Sequence, residues 1–197
     1  MSYKIIDINF LTENTFILRT EKPKYKILPG QCFNLGVANA GVNREYSIYS
    51  GVNENFLEFL IRKVPNGVVS MELSHMKIGD KIDIDGPYGE FLINENQLSR
   101  KFIFCSTGTG IAPFNSFIKS FKKLDYILLH GVRFEDEQYN STEYKKDSYF
   151  PFISSKGDRV TKFFENQSLV DDSVVYLCGN RAMISDVYDL LSIKNLI

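Results

Sequence analysis

The sequence is poor in the residues that build metal centres and disulfide frameworks. It has three cysteines, Cys32, Cys105 and Cys178, and two histidines, His75 and His130. Three cysteines so far apart argue against a disulfide framework, and they are too few for a four-cysteine iron-sulfur cluster. Neither histidine has a second ligand at metal-binding spacing. We therefore expect no metal site, and any iron-sulfur partner should be a separate molecule.

An excess of one charge and long apolar runs are also missing. The 23 lysines and arginines are balanced by 24 acidic residues, which gives nothing that marks a nucleic-acid binder. The apolar stretches are strand-sized, and the first residues lack the long apolar core of a secretory signal. No serine-histidine-acid or paired-carboxylate arrangement stands out. We expect no nucleic-acid partner, no membrane span and a cytoplasmic location.

The first half of the chain is typical of a small β-domain. Short segments with alternating or clustered apolar residues are separated by turns, including Pro29-Gly30 and Gly86-Pro87-Tyr88-Gly89. Their spacing predicts a six-stranded antiparallel barrel, interrupted by one short helix from Val69 to His75. The strand segments are KIIDINF, TFILRT, QCFNLGV, EYSIYS, LEFLIRKV and KIDIDG.

The second half changes to alternating strands and helices. The segments KFIFCS, DYILLHG and SVVYLCG have the character of buried strands, and helical spacing follows the first and the last of them. This alternation predicts an α/β domain with a parallel sheet and crossover helices. The polar stretch 94–100 marks the change, so we predict domains at 1–97 and 98–197. Residues 134–150 are interpreted as a surface helix or lid.

The segment STGTGIAPF, residues 106–114, follows a predicted strand and opens a predicted helix. Glycines in that position let the backbone approach a pyrophosphate, and the helix start offers N–H groups and a positive dipole end. Pro113 in the first helical turn costs no hydrogen bond. The alternative is a tight turn that binds nothing. A nucleotide-triphosphate loop is excluded because no glycine-lysine-serine/threonine sequence follows the glycines.

Here the chain resembles the ferredoxin-NADP reductase family, which has a similar glycine-threonine-glycine-isoleucine-alanine-proline turn. Further motifs follow the family's order from about Pro29 to Leu191. They are Arg44-Glu45-Tyr46-Ser47, Gly67-Val68-Val69-Ser70, Lys77-Ile78-Gly79-Asp80, Gly86-Pro87-Tyr88-Gly89, and Cys178-Gly179-Asn180 with Met183 and Asp186-Val187. Each motif alone is weak, but the ordered set is hard to obtain by chance.

The resemblance implies an FAD site in the barrel half. Arg44 offers a planar fork of donors to the flavin pyrophosphate, and Tyr46, two residues along the strand, lies on the same face. The resemblance places Tyr46 against the isoalloxazine ring and Ser47 near the flavin N5. Without the surrounding motifs, Arg44 would be interpreted as a solvated charge and Tyr46 as an aromatic residue of the barrel core.

Two further segments are implied to contact the flavin. A helix start formed by Gly67, Val68, Val69 and Ser70 caps its phosphates, although Ser70 could equally be only an N-cap. The residues Arg62, Lys63 and Val64 run along the flavin and meet it chiefly through backbone groups.

The resemblance also implies an NADP(H) site in the second half. The glycine turn supplies Thr107, Gly108, Thr109, Gly110 and Pro113. Cys178, followed by Gly179 and with Met183 nearby, lies beside the nicotinamide, where the alternative is a buried structural thiol. Cations or hydroxyls near the 2′-phosphate select NADP over NAD. The candidates are Arg133, Ser154 and Arg159, and Ser155 stands where many bacterial relatives have arginine.

The implied activity is electron exchange between NADP(H) and a one-electron protein carrier, ferredoxin or flavodoxin, through bound FAD. Two alternatives stay open: a reductase component of an oxygenase or a free-flavin reductase, and a non-catalytic flavin- or nucleotide-binding subunit of a larger complex. Family members usually continue past the last helix into a tail that covers the flavin. This sequence ends at Ile197, so we expect a more open nicotinamide site.

Overall fold

The structure is a computed structural model that describes residues 1–37, 41–166 and 172–194. The chain forms two compact units. The first contains Met1–Ile93 and Ala112–Lys122, and the second contains Asn94–Ile111 and Lys123–Ile197. The last residues of the expected tail region, 195–197, lie outside the described part. A functional domain boundary at 97/98 stays a prediction.

The first unit is built on a six-stranded antiparallel sheet. Its strand order is β4-β3-β6-β1-β2-β5, and an antiparallel bridge between Ile48 and Phe59 links its two ends. The Tyr49 N–H donates to the Glu58 carbonyl at 2.7 Å beside that bridge. The strands are β1 Ser2–Thr12, β2 Thr15–Glu21, β3 Cys32–Val37, β4 Asn43–Ser47, β5 Phe56–Arg62 and β6 Lys81–Tyr88. The predicted antiparallel barrel is confirmed.

Alternation of apolar and polar residues explains why these segments form a barrel. In β6 the isoleucines Ile82 and Ile84 are buried, while Lys81, Asp83 and Asp85 between and beside them face solvent. A period of two places every second side chain on the same face of a sheet. Helix α1, Val68–His75, adds Val69 and Leu73 to the same core.

Helix α2, Ala112–Ser120, belongs to the first unit although it follows the first strand of the second sheet in sequence. Two hydrogen bonds anchor it there. The Asn115 side chain donates to the Tyr49 carbonyl at 2.6 Å, and the Val52 N–H donates to the Ser120 hydroxyl at 3.0 Å. Phe117 stacks on Phe91 with ring centroids 6.0 Å apart.

The second unit is a four-stranded parallel sheet with the order β10-β7-β8-β9. Because the strands are parallel, all four carboxyl ends lie at one edge, the position at which open α/β sheets bind ligands. Helix α4 packs its buried residues against the sheet. The elements are β7 Lys101–Thr107, β8 Asp125–Val132, β9 Tyr149–Ile153, α3 Thr161–Asn166, β10 Val174–Cys178 and α4 Arg181–Ile193. The predicted parallel sheet is confirmed.

The alternative of a surface helix for residues 134–150 is wrong, and that of a lid beside a strand stays a prediction. The segment forms three short 3-10 turns, Glu135–Glu137, Ser141–Glu143 and Lys146–Ser148, before it enters β9. Its tyrosines Tyr139 and Tyr144 are buried. These two buried side chains hold the segment against the second unit. The polar composition of the segment does not indicate this burial. None of the helices in the described part of the chain combines the length and apolar character that a bilayer crossing requires.

Candidate functional site

Strand β4 presents the arginine-tyrosine-serine motif of the first unit. Arg44 is exposed, and its guanidinium donates to the Asn43 carbonyl at 2.8 Å. Tyr46 is half-buried and packs against the barrel core, so part of its surface does serve as a core aromatic. Burial raises the pKa of Tyr46, and the positive charge of Arg44 opposes that effect. Arg44 and Tyr46 are two residues apart on β4, a spacing that places side chains on the same face of a strand.

The start of helix α1 leaves backbone donors without helical acceptors. The Met71 N–H donates to the Gly67 carbonyl, which closes the first turn, so the amides of Val68, Val69 and Ser70 precede the helical ladder. The N-cap is Gly67, and it has no side chain to bond them. The alternative of an N-cap at Ser70 is therefore wrong. The Ser70 hydroxyl instead accepts from the Val64 N–H at 3.1 Å.

The strand end before this helix uses its own backbone donors. The Lys63 N–H donates to the Asn14 carbonyl at 2.8 Å, and the Val64 N–H is held by Ser70. These two amides already have acceptors within the chain. The flavin contacts expected of Arg62, Lys63 and Val64, chiefly through backbone groups, stay a prediction. The side chains of Arg62 and Val64 are exposed.

The glycine turn at the end of β7 forms a 3-10 helix, Gly108–Ile111. Gly108 has φ +52°, and a Cβ placed there would meet nothing within 4 Å. Thr109 is half-buried, and Pro113 is buried in the first turn of α2, so Pro113 contributes no exposed side chain. An open glycine backbone followed by a helix start is the arrangement that suits a phosphate ligand.

The segments at the ends of β7 and β10 are in close contact. A Cβ at Gly110 would lie 2.6 Å from the Cys178 carbonyl oxygen and 2.7 Å from the Gly179 Cα. The Asn180 N–H donates to the Thr107 hydroxyl at 2.7 Å. These contacts bring the predicted glycine turn and the predicted Cys178-Gly179 segment to one place, and they require glycine at position 110.

Cys178 and Met183 have different surroundings in the second unit. Cys178 ends β10 and is half-buried, and burial raises its pKa to about 11, so it is a neutral thiol near pH 7. Met183 lies in the core with its sulfur 3.6 Å from the Cys105 sulfur. The side chain of Met183 is buried in the core of the second unit, and its expected contact with a cofactor stays a prediction.

The candidate 2′-phosphate residues follow β8 and β9. The Ser155 N–H donates to the Arg133 carbonyl at 3.1 Å, which joins the two segments, and Ser154 and Arg159 are exposed beside them. Lys156 pairs with Glu135. Within the described ranges, neither Arg133 nor Arg159 has a carboxylate within ion-pair distance. Both guanidinium groups are therefore open to an anionic ligand.

His130 has no role in the motifs of the sequence, and its only evident chemistry there is that of a metal ligand without a second ligand nearby. It is fully buried in β8, with its Nδ1 3.0 Å from the Tyr149 hydroxyl and its Nε2 3.0 Å from the Gly108 carbonyl oxygen. Its position in a buried strand, opposite Ser106 just before the glycine turn, was the available signal. That signal depends on strand register, which a single sequence does not show.

The residues present fit the two expected cofactors. In the first unit an exposed guanidinium, a half-buried tyrosine ring and the free amides of a helix start are donors and surfaces suited to a flavin dinucleotide. In the second unit, open space over Gly108 and the exposed side chains of Arg133 and Arg159 suit a second dinucleotide with a 2′-phosphate.

Comparisons with known proteins find similarity in both halves of the chain. Residues 3–93 match the oxidoreductase FAD-binding domain family. The chain is 28% identical to the ferredoxin-NADP reductase of Azotobacter vinelandii over 227 residues, covering 95% of this chain and 87% of that protein. It is 28% identical to the toluate 1,2-dioxygenase electron transfer component of Pseudomonas putida, covering 93% of this chain and 60% of that protein.

A solved structure has the same fold. The ferredoxin NADP+ reductase of Neisseria gonorrhoeae, with bound FAD and NADP, superposes with a TM-score of 0.81 at 21% identity. The match covers 98% of this chain and 90% of that one. At this identity the likeness shows the fold, with its antiparallel sheet followed by a parallel sheet.

Proposed function

Because the chain belongs to the ferredoxin-NADP reductase family, we propose that it is an FAD-dependent oxidoreductase exchanging electrons between NADP(H) and a one-electron protein carrier, ferredoxin or flavodoxin. The observation that carries the proposal lies at the carboxyl edge of the parallel sheet. There the glycine turn after β7 and the Cys178-Gly179 segment after β10 are in contact, with an open backbone at Gly108. The match of residues 3–93 to the FAD-binding domain family supports the flavin part of the proposal.

In the barrel unit, Arg44 would bind the flavin pyrophosphate through its planar donors, and Tyr46 would cover the ring system. Ser47 would offer its hydroxyl near the flavin N5. The amides at Val68, Val69 and Ser70 would bind phosphate oxygens, as helix starts do for anions. Arg62 and Val64 would contribute side-chain contacts, since the Val64 amide is already bonded.

In the α/β unit, residues 107–110 would hold the NADP(H) pyrophosphate through backbone N–H groups. The neutral thiol of Cys178 would lie beside the nicotinamide and position it, with Gly179 allowing close approach. Arg133, Ser154 and Arg159 would bind the 2′-phosphate and favour NADP over NAD. We place these roles in the region 98–197, and the flavin roles in the region 1–97.

Bound FAD supplies the conversion of a hydride into single electrons, chemistry that no amino-acid side chain provides. The contribution of this chain is binding, orientation and the exclusion of water. All three cysteines are free, as is usual in a reducing compartment, so we also propose a cytoplasmic location.

The test is an acceptor assay with the FAD-loaded protein and NADPH under anaerobic conditions. Rapid reduction of purified ferredoxin or flavodoxin is expected. Ser47→Ala should slow this reduction about tenfold, the effect of losing one hydrogen bond, while FAD stays bound. Indifference to both carriers would contradict the proposed partner, and the absence of NADPH oxidation with any acceptor would leave the non-catalytic subunit as the better account.

A second candidate function is a reductase component of an oxygenase or a free-flavin reductase. It is favoured by the similarity to the toluate dioxygenase component, of which this chain spans 60%. The same assay separates the two functions when an oxygenase component or free flavin is offered as the acceptor. Faster turnover with these acceptors than with ferredoxin and flavodoxin would support the second candidate.

A further inference from the structure

His130 is a buried polar residue at the carboxyl edge of the sheet to which the proposed reaction gives no part. The side chain has no exposed surface, and both ring nitrogens have partners at 3.0 Å. One partner is the hydroxyl of Tyr149 on the neighbouring strand β9. The other is the backbone carbonyl of Gly108, inside the turn assigned to the dinucleotide pyrophosphate.

The two partners fix which nitrogen carries the hydrogen. Burial lowers the pKa of His130 to about 4, so the ring is neutral near pH 7 and has a single N–H. A carbonyl oxygen can only accept, so the hydrogen lies on Nε2. The Nδ1 atom must then accept from Tyr149. The result is a directed chain from the Tyr149 hydroxyl through His130 to the Gly108 carbonyl.

Aromatic neighbours hold this chain in place. The Tyr139 ring lies 5.9 Å from the imidazole, measured between centroids, and the Tyr144 ring stacks on Tyr149 at 5.2 Å. Tyr139 and Tyr144 are both buried. The imidazole therefore has little freedom to turn, and its N–H keeps one direction.

The direction of the Gly108 carbonyl decides the direction of the next amide. A peptide bond is planar and trans, so the Gly108 carbonyl and the Thr109 N–H point to opposite sides of the same plane. With the carbonyl turned inward to His130, the Thr109 N–H points away from it. At the start of a helix such an amide has no intrahelical acceptor. Gly108 has φ +52°, a conformation that glycine adopts without the steric cost that other residues have.

We propose that His130 is a positioning residue for NADP(H): it fixes the Gly108-Thr109 peptide so that the Thr109 N–H is presented to the pyrophosphate. The inference rests on the proposed function of the glycine turn. Tyr149 contributes to the same positioning, because its hydroxyl group selects the tautomer of the His130 imidazole. The residue acts through the backbone and does not itself touch the dinucleotide.

The test uses the FAD-loaded protein and isothermal titration calorimetry with three ligands: NADP+, NAD+ and adenosine 2′-monophosphate. The first two contain the pyrophosphate, and the third contains only the 2′-phosphate end. His130→Leu should raise the dissociation constants of NADP+ and NAD+ by the same factor, about tenfold for one lost hydrogen bond, and leave that of adenosine 2′-monophosphate unchanged.

Two further variants separate positioning from a general structural role. His130→Gln places an amide N–H close to the position of Nε2, so its NADP+ affinity should stay within about threefold of the wild type. Tyr149→Phe removes the donor to Nδ1 and should weaken NADP+ binding about threefold to fivefold. Arg159→Ala should show the opposite ligand pattern, with NADP+ and adenosine 2′-monophosphate weakened and NAD+ unchanged.

Equal weakening of all three ligands in His130→Leu would overturn the proposal, and so would unchanged NADP+ affinity. If that variant does not fold, Tyr149→Phe decides, and wild-type affinity for NADP+ in it overturns the proposal. A wild-type protein that binds neither dinucleotide is a failure of the proposed function itself. The positioning role of His130 alone is wrong when the wild type binds NADP+ and the variants His130→Leu and Tyr149→Phe bind it equally well.

Discussion

At the scale of single residues, burial sets the chemistry of the candidate groups. Arg44 is exposed and free to offer most of its donors, whereas Tyr46 is half-buried with a raised pKa. Cys178 is kept as a neutral thiol by burial. The side chains proposed to face the cofactors are therefore neutral or cationic near pH 7. That charge distribution suits anionic dinucleotides.

Arg44→Ala should weaken FAD binding. The substitution removes a charged, planar donor set, and loss of such a hydrogen bond corresponds to about a tenfold rise in the dissociation constant of FAD or more. The measurement is flavin occupancy by absorbance after extended dialysis. Lys81→Ala is the matched control, because Lys81 is an exposed cation on β6 of the same unit. Full FAD occupancy of Arg44→Ala would show that the assigned role is wrong.

Sequence patterns single out residues that lie in motifs, and they say little about residues whose surroundings depend on packing. Arg44, Gly108 and Cys178 could be chosen because their neighbours in sequence form recognisable patterns. Met183 lies in a motif but is buried in the core, whereas His130 lies in no motif but contacts the glycine turn. The packing of helix α4 buries Met183, and the register of β8 places His130 beside the glycine turn. A single sequence contains neither.

At the scale of elements, the contact between the ends of β7 and β10 shapes the proposed dinucleotide site. It depends on glycine at 110 and 179, where any Cβ would collide with backbone atoms of the other strand end. Gly108 differs, since space is open above it and only its positive φ restricts substitution. The same turn thus contains one glycine required by packing and one required by conformation.

This difference predicts unequal effects of two matched substitutions. Gly110→Ala should lower the free energy of unfolding by about 3 kcal/mol, since the colliding atoms are backbone. Gly108→Ala should cost about 1 kcal/mol, the cost of an alanine with positive φ. Urea unfolding monitored by circular dichroism measures both. Equal stability of the two variants would contradict the structural account.

Most strands and helices could be predicted from the sequence because their apolar periodicity is regular. The six barrel strands and α1 were found within a few residues of their observed bounds. Strand β9 was missed, and Pro151 within it explains why. A proline lacks the N–H that a central strand needs, but β9 is an edge strand paired only with β8, so the missing donor is tolerated. The packing of α2 on Phe91 is a long-range contact, and local sequence patterns do not predict it.

At the scale of the whole molecule, stability should depend on pH through His130. Its pKa is about 4 in the folded chain and 6.5 when exposed, so below pH 6.5 the unfolded chain binds a proton that the folded chain does not. This stabilisation is complete above pH 6.5 and is lost as the pH falls toward 4. The loss is about 3 kcal/mol by the usual conversion.

His130→Gln should remove this pH dependence, because glutamine does not titrate. Urea unfolding at pH 7 and at pH 4.5 measures the difference, with the wild type losing about 2 to 3 kcal/mol more than the variant between the two conditions. Carboxylates common to both proteins cancel in the comparison. An identical loss in both proteins would contradict the buried, neutral state of the imidazole.

The account as a whole depends on a flavin bound by the barrel unit and reduced by a nicotinamide held at the edge of the parallel sheet. The most direct measurement is an absorption spectrum of the purified protein, reconstituted with FAD and then titrated anaerobically with NADPH. We expect flavin bands in the visible blue that bleach on addition of NADPH. A colourless protein that retains no added FAD, or flavin bands that do not respond to NADPH, would contradict it.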